Sequence, residues 1–320
     1  MLRGMRALSL LLLLACPDAP ETAEDSESTD TAGPVGDPNT IPLNGTCDLE
    51  RRWGTFEVEA NEKYSVAFGA IANGVVPVTV LTEVAAEGDC RLLKRENPYC
   101  NPTCEPGDTC DLDGVCIPYP ENQNVGTVTI AGLTSAVSMD PLVPGNKYSF
   151  VAFDGIAFEP GKLIELVTGG GAYAPQTLHG VGVTPLVPAS LEWVIAKGAS
   201  LDLSWDAPAE TVRSSVFVSV NVDQHGITPV TLECTFADNG TNAIASSVID
   251  ALLNFGISGF PSARIQRRTV DKVMLGEGCA DFIVDYEAVA GVTVSGHTPC
   301  SSTEDCPADQ ECNLALQTCE

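Results

Sequence analysis

The sequence predicts an all-β fold, built as two antiparallel β-sandwich-like domains with two small disulfide-rich modules, one inserted mid-chain and one C-terminal. Three observations predict it. Short apolar runs alternate with polar residues at period two, as in Val216, Val218, Val220 and Val222 with Ser219 and Asn221 between them. Such alternation marks a strand with one buried face. Glycine and proline number 29 and 22 among 320 residues, so turns are frequent and long helical periods scarce. Thirteen cysteines leave an even set once the first is put aside, which suits a chain braced by crosslinks.

Residues 1–15 read as a lipoprotein signal peptide. Arg3 and Arg6 precede the apolar run Leu8 to Leu14, and small Ala15 stands before Cys16. The charges hold the start of the chain on the cytoplasmic side, and the run suits export recognition. It is too short to span a bilayer, which needs about 20 residues. Cys16 is therefore the expected lipid attachment site, with acyl chains as the anchor. An ordinary secretory signal would leave Cys16 as an unpaired thiol. Pro17, rather than Asp, follows Cys16, which points towards the outer membrane.

Residues 16–45 form the lipidated cysteine and an acidic tether. Seven carboxylates and no basic residue lie between Pro17 and Thr40, among many Ser, Thr and Pro. Such a segment buries too little apolar surface to offset its ordering entropy. As a flexible coil it would reach about 30 Å.

The first β-domain is expected over residues 46–188. Alternating runs at 55–60, 64–68, 125–131 and 147–153 supply its strands. Cys47 and Cys90 bracket the first of these and would clip its start to its end. Inside lies a cysteine-rich insertion, 90–118, with Cys100, Cys104, Cys110 and Cys116 separated by turn formers. Zinc is the alternative to disulfides there, but Cys110-x5-Cys116 is wide for a zinc knuckle. Exported chains favour crosslinks. Asp108, Asp111 and Asp113 lack the bidentate Glu of a calcium loop and read as an acidic turn. No metal or other cofactor is expected.

The second β-sandwich domain is expected over 189–296. Val230, Leu232, Cys234 and Phe236 share one face of a strand beside the valine strand. Further runs at 190–196, 200–205, 263–270, 281–286 and 292–294 suggest a sandwich of immunoglobulin or fibronectin type III shape. Trp193 and Trp205 both precede Cys234, whereas an immunoglobulin domain places Trp between its cysteines. A Cys234–Cys279 link would staple the layers. A short helix at 246–255 interrupts the strands, capped by Ser246 or Ser247 and ended by Gly256, as a lid on one end. Residues 297–320 form the second module, with Cys300, Cys306, Cys312 and Cys319. Crosslinks are expected to stay within each module.

The signal, the tether, the run CNPTCEPGDTCDLDGVCIPYP and the tail CSSTEDCPADQEC together resemble cysteine-rich surface lipoproteins of myxobacterial type. The stretches VSVNVDQHGITPVTLECTF and GFPSARIQRRTVD share the likeness. The resemblance implies an envelope address and a disulfide-braced architecture. It carries over no catalytic or binding residue.

The net charge of -27 sets the chain against nucleic acid, whose phosphates would repel it. A search for chemistry finds three histidines, no H-E-x-x-H and no G-x-S-x-G. Asp223 and His225 share a strand face and are the first place to look for an enzyme acting on an envelope or extracellular polymer. Against the acidic background, Arg264, Arg267, Arg268 and Lys272 stand out on one expected strand. Arg264 and Arg268 share a face, with Arg267 opposite. They make a candidate anionic-ligand patch, suited to carboxylated or phosphorylated glycans through bidentate contacts. The alternative is an edge strand whose cations pair with the chain's own carboxylates. The reading that follows is a non-catalytic, membrane-anchored lipoprotein of the cell envelope, with an envelope glycan or protein as partner.

Overall fold

The structure is a computed structural model, and it describes residues 36–208, 213–223 and 229–320. Cys16, and with it the signal and most of the tether, lies outside the described residues. Described residues from 36 onward belong to one unit, Gly33–Glu320.

Strands dominate, as the alternation predicts. The first half of the chain supplies β1 (Arg52–Ala60), β2 (Tyr64–Ile71), β3 (Leu81–Glu87) and β4 (Cys90–Arg95). Two short module strands follow, β5 (Asp108–Cys110) and β6 (Cys116–Pro118). Next come β7 (Val128–Ala131), β8 (Val137–Met139), β9 (Tyr148–Asp154), β10 (Leu163–Thr168) and β11 (Thr177–Val181). The second half supplies β12 (Glu192–Ile195), β13 (Leu201–Ser204), β14 (Ser215–Asn221), β15 (Val230–Ala237) and β16 (Thr241–Ile244). Helix α1 (Ser246–Asn254) precedes the long hairpin of β17 (Ser262–Leu275) and β18 (Gly278–Val294). The tail module holds β19 (Cys312–Asn313) and β20 (Thr318–Cys319).

The two expected domains share one sheet. Its order is β3-β4-β15-β14-β17-β18-β1-β2-β9, with β12 beside β18 as the tenth strand. Strands from residues 46–188 flank those from 189–296 on both sides, so the boundary at 188 does not divide two folding units. The hairpin is the reason. At 14 and 17 residues its strands are long enough to pair on every side. β17 takes β14 and β18 as antiparallel neighbours. β18 takes β1 along its first half and β12 along its second, both in parallel. The expectation of purely antiparallel pairing fails there, because the long intervening chain permits a parallel return.

One face of this sheet is apolar. Val216, Val218, Val220, Leu232, Phe236, Phe282, Val284, Phe56 and Val58 are all buried on it. A second sheet, β11-β10-β7-β8, packs over this face through β11, making a two-layered sandwich. Helix α1 covers the end formed by β3, β4 and β15 with Val248, Ile249 and Leu252. It lies where the lid was expected but has no side-chain cap at its start, since Ala245 holds the capping position and the Ser247 hydroxyl, inside the first turn, turns to Glu87.

Alternate residues of β17 stitch the two layers. Thr269 Oγ1 donates to Val181 O and accepts from Val181 N, each at 3.0 Å. Asp271 Oδ2 accepts from His179 N at 2.9 Å. β11 is the edge of its sheet, and these side chains satisfy backbone groups that an edge leaves open.

The crosslinks differ from the expected pairs at two places. Cys47 joins Cys279 and Cys90 joins Cys234, not Cys47 to Cys90 and Cys234 to Cys279. The sheet order decides this: β4 lies beside β15 with Cys90 and Cys234 directly opposite. Cys279 begins β18, beside which the chain enters β1. Within the modules the pairs are Cys100–Cys110 with Cys104–Cys116, and Cys300–Cys312 with Cys306–Cys319. Both modules stay self-contained, as expected. Asp111 Oδ1 accepts the amides of Asp113 and Val115, so the aspartates form the acidic turn that was expected.

The tether is shorter than expected. Asn44 donates to Asp271 through both its backbone and side-chain nitrogens, each at 2.8 Å. Arg213 donates to the carbonyl of Ile41. Residues 38–47 are therefore a strap laid on the sheet. Among the described residues, no helix is long and apolar enough to cross a membrane.

Candidate functional site

The four cations of β17 do not form one patch. The strand is central, not an edge, and its pleat sends successive residues to opposite faces. Arg267 points into the core face and is fully buried. Its guanidinium grips Asp238 through Nε at 2.7 Å and Nη2 at 3.1 Å. It also donates to the carbonyls of Thr184, Pro185 and Asp206. With every donor direction taken, Arg267 is a strut. Arg264 is exposed and lies 3.3 Å from Glu287. Lys272 Nζ donates to Thr46 O at 2.8 Å. Of the four, Arg268 is the one that faces a cleft with no carboxylate partner among the described residues.

Arg268 lies on the polar face of the large sheet. Its guanidinium sits 3.8 Å over the ring of Phe217 on β14, a cation-π contact. Its Nε is buried and has no hydrogen-bond partner among the described residues. Burial pulls its pKa down to about 10, while nearby Glu233 and Asp285 resist the fall and Arg52 adds to it. It stays charged at neutral pH.

Two adjoining hollows meet at Arg268. One, of about 450 Å³, gathers Arg52, Arg91, Glu83, Asp89 and Glu233 with Phe217 as part of its lining. Two of its arginines are committed: Arg52 Nε lies 2.8 Å from buried Asp281, and Arg91 Nη2 2.9 Å from Glu233. The other hollow, of about 320 Å³, is lined among the described residues by Arg213 and Arg268 with Thr46, Ser215 and Thr235 and by no carboxylate. Arg268, Thr46 and Thr235 belong to both. A larger hollow of about 630 Å³ lies elsewhere, among turns around Gly132 and Gly161, with Lys162 and Glu159 as its charged groups. Size alone does not make it the better site.

Behind Arg268 the same face carries a band of carboxylates from β1 and β18. Burial pushes Glu57 up to about 7, helped by Glu59 and Glu287 and opposed by Arg268 and Arg264. Asp285 is fully buried, and burial with the charges of Glu57, Glu59 and Glu287 drives it well above the ordinary carboxylate range. Its Oδ2 accepts from Gln266 at 2.8 Å, while Oδ1 has no partner among the described residues. Asp281 is raised by burial too, restrained by Arg52 and by the Cys47 amide at 2.7 Å.

Asp223 is buried, and the hydroxyl of Ser258 donates to its Oδ1. His225 lies outside the described residues, so the expected pair is seen by half. His297 sits nearby with Nε2 2.8 Å from Gly259 O. His179 lies between Glu165 and Asp271, at 3.6 and 3.9 Å, where the two sheets meet.

Arg52, Arg91, Phe217 and Glu233 escaped the sequence reading because each comes from a different strand. A signal was present all the same. Phe217 is the one aromatic on the polar side of the valine strand, and Glu57, Glu59, Asp281 and Asp285 recur at even spacing between core residues.

No family model matches the chain, and no curated protein does. Among solved structures it is similar to the chicken CNTN1 FN1-FN3 domains, at 8% identity over 66% of this chain and with a TM-score of 0.17. The chain spans about 65% of that structure's length, and so distant a likeness assigns neither fold nor activity.

Proposed function

We propose that this chain is an exported lipoprotein of the bacterial cell envelope that binds an anionic envelope glycan and does not turn it over. Lipid on Cys16 would hold it to a membrane, by preference the outer one. One observation carries the binding role: a cleft in which Arg268 has no ion-pair partner among the described residues, set on a sheet that two long-range disulfides cross-brace. The six disulfides suit an oxidising compartment. The site moves from the β17 cluster as a whole to the cleft that Arg268 faces.

The test has two parts. Cys16→Ser should leave an unlipidated product, in soluble fractions or as precursor, and continued acylation would remove the anchor from this reading. Purified mature protein should retain acidic envelope polymer at low salt and lose it as salt rises, because exposed charges are screened within about 10 Å at 0.1 M. Turnover of that polymer, abolished by Asp223→Asn or His225→Ala, would make the protein an enzyme instead.

A further inference from the structure

We infer that the ligand is a carboxylate-bearing sugar of the uronate kind, its carboxylate on Arg268 and its hydroxyls on the walls of the two hollows. The inference rests on the binding role proposed above and adds the ligand's chemistry and its place.

Charge sets the first limit. Among the described residues Arg268 makes no ion pair, while Arg52 is held by Asp281 and Arg91 by Glu233. Arg213, beside Arg268, is held by the carbonyls of Pro38 and Ile41, so Arg268 is the guanidinium here with a buried N–H left to pair among the described residues, and its fork takes one carboxylate. Glu233, Asp285 and Glu57 all act on Arg268. Glu233, beside Arg268, opposes a doubly charged phosphate more than a singly charged carboxylate, and the carboxylate is accepted in the fork geometry that Arg offers. The ring of Phe217 holds the guanidinium plane in place, which lowers the entropy lost on binding.

Hydroxyl chemistry sets the second. Thr46, Ser215 and Thr235 line the hollow shared with Arg213 as donors and acceptors. Across Arg268, the carboxylates of Glu83, Asp89 and Glu233 line the other hollow and can only accept while ionised. A ligand with one anionic group and many hydroxyls uses both walls, and a simple anion uses neither. The hollows, of about 320 and 450 Å³, are of the size that holds a sugar-sized ligand.

The experiment is calorimetric titration of the purified mature chain with glucuronate, glucose, inorganic phosphate and a glutamate-rich peptide. Glucuronate should bind, glucose and phosphate should bind more weakly, and Arg268→Gln should weaken glucuronate about tenfold or more. Arg264→Gln, on the exposed end of the strand, should leave it unchanged. Phosphate or the peptide binding as tightly as glucuronate would overturn the assignment, as would glucuronate that ignores Arg268→Gln. If Arg268→Gln does not fold, the Arg268 Nε–H resonance of the unaltered chain gives the answer, since it should shift on adding glucuronate and a static signal refutes the site. Polymer capture that survives while glucuronate fails to bind would sink this inference and leave the binding role standing. Loss of all capture would sink the binding role itself.

Discussion

Arg267 and Asp238 form a forked ion pair inside the sandwich, with both side chains all but sealed from solvent. Asp238 also accepts from the Trp205 indole at 2.9 Å and from Ser214 Oγ at 2.5 Å. The pair therefore ties the central strand to the segments before β14 and after β15. A buried pair is costly to break from one side, because the surviving charge is left without compensation.

Asp238→Ala should accordingly destabilise the fold by about 3–5 kcal/mol, read as a shift in the urea midpoint. Arg267→Met together with Asp238→Leu should recover part of that loss, since neither charge is then stranded. A single substitution that costs less than about 1 kcal/mol would show that the pair holds nothing in place.

The Thr269 bridge makes a separate demand. Thr269→Val keeps the shape but strips both hydrogen bonds from Val181, whose backbone is then buried and unpaired. The expected cost is about 1–3 kcal/mol, with faster hydrogen exchange at the Val181 amide. Thr269→Ser should restore most of it.

Peptide mapping without reduction should recover Cys47–Cys279 and Cys90–Cys234. Each closes a long loop, with 232 and 144 residues of separation. Replacing Cys90 and Cys234 by Ala together should cost about 2–5 kcal/mol. Recovery of Cys47–Cys90 instead would contradict the sheet order itself.

Stability should fall as pH rises through the range in which Glu57 ionises. Its ordinary value is 4.5 and the fold raises it to about 7, so the folded chain keeps a proton there that the unfolded chain has lost. The associated stability is complete below pH 4.5, drains away up to about pH 7 and is gone above. The loss is on the order of 3 kcal/mol. Glu57→Gln should flatten this slope and stabilise the protein at about pH 8, as read from urea midpoints between about pH 4 and pH 8. A residual slope should remain from Glu59 and Asp285, both also raised. An unaltered slope would place the titration elsewhere.

The sequence by itself determined many of the strands, the helix and the self-contained modules, because those depend on neighbours, but left β3, β4, β10 and β11 unmarked. Alternation over Val216 to Val222 names a buried face without reference to any partner, and Val216, Val218, Val220 and Val222 are all buried. Cysteines set ten to thirteen residues apart among turn formers pair locally for the same reason. Only the tertiary structure decided which strands meet. Period two says that a strand has two faces, and nothing in it says whether β4 pairs beside β15 or stays within its own half. The long-range disulfides followed that choice, and so did the fate of the β17 cations. Arg264, Arg267 and Arg268 look alike in sequence. One is left in solvent, one is sealed against Asp238, and one is set over Phe217, because the pleat and the neighbouring strands assign each a different environment.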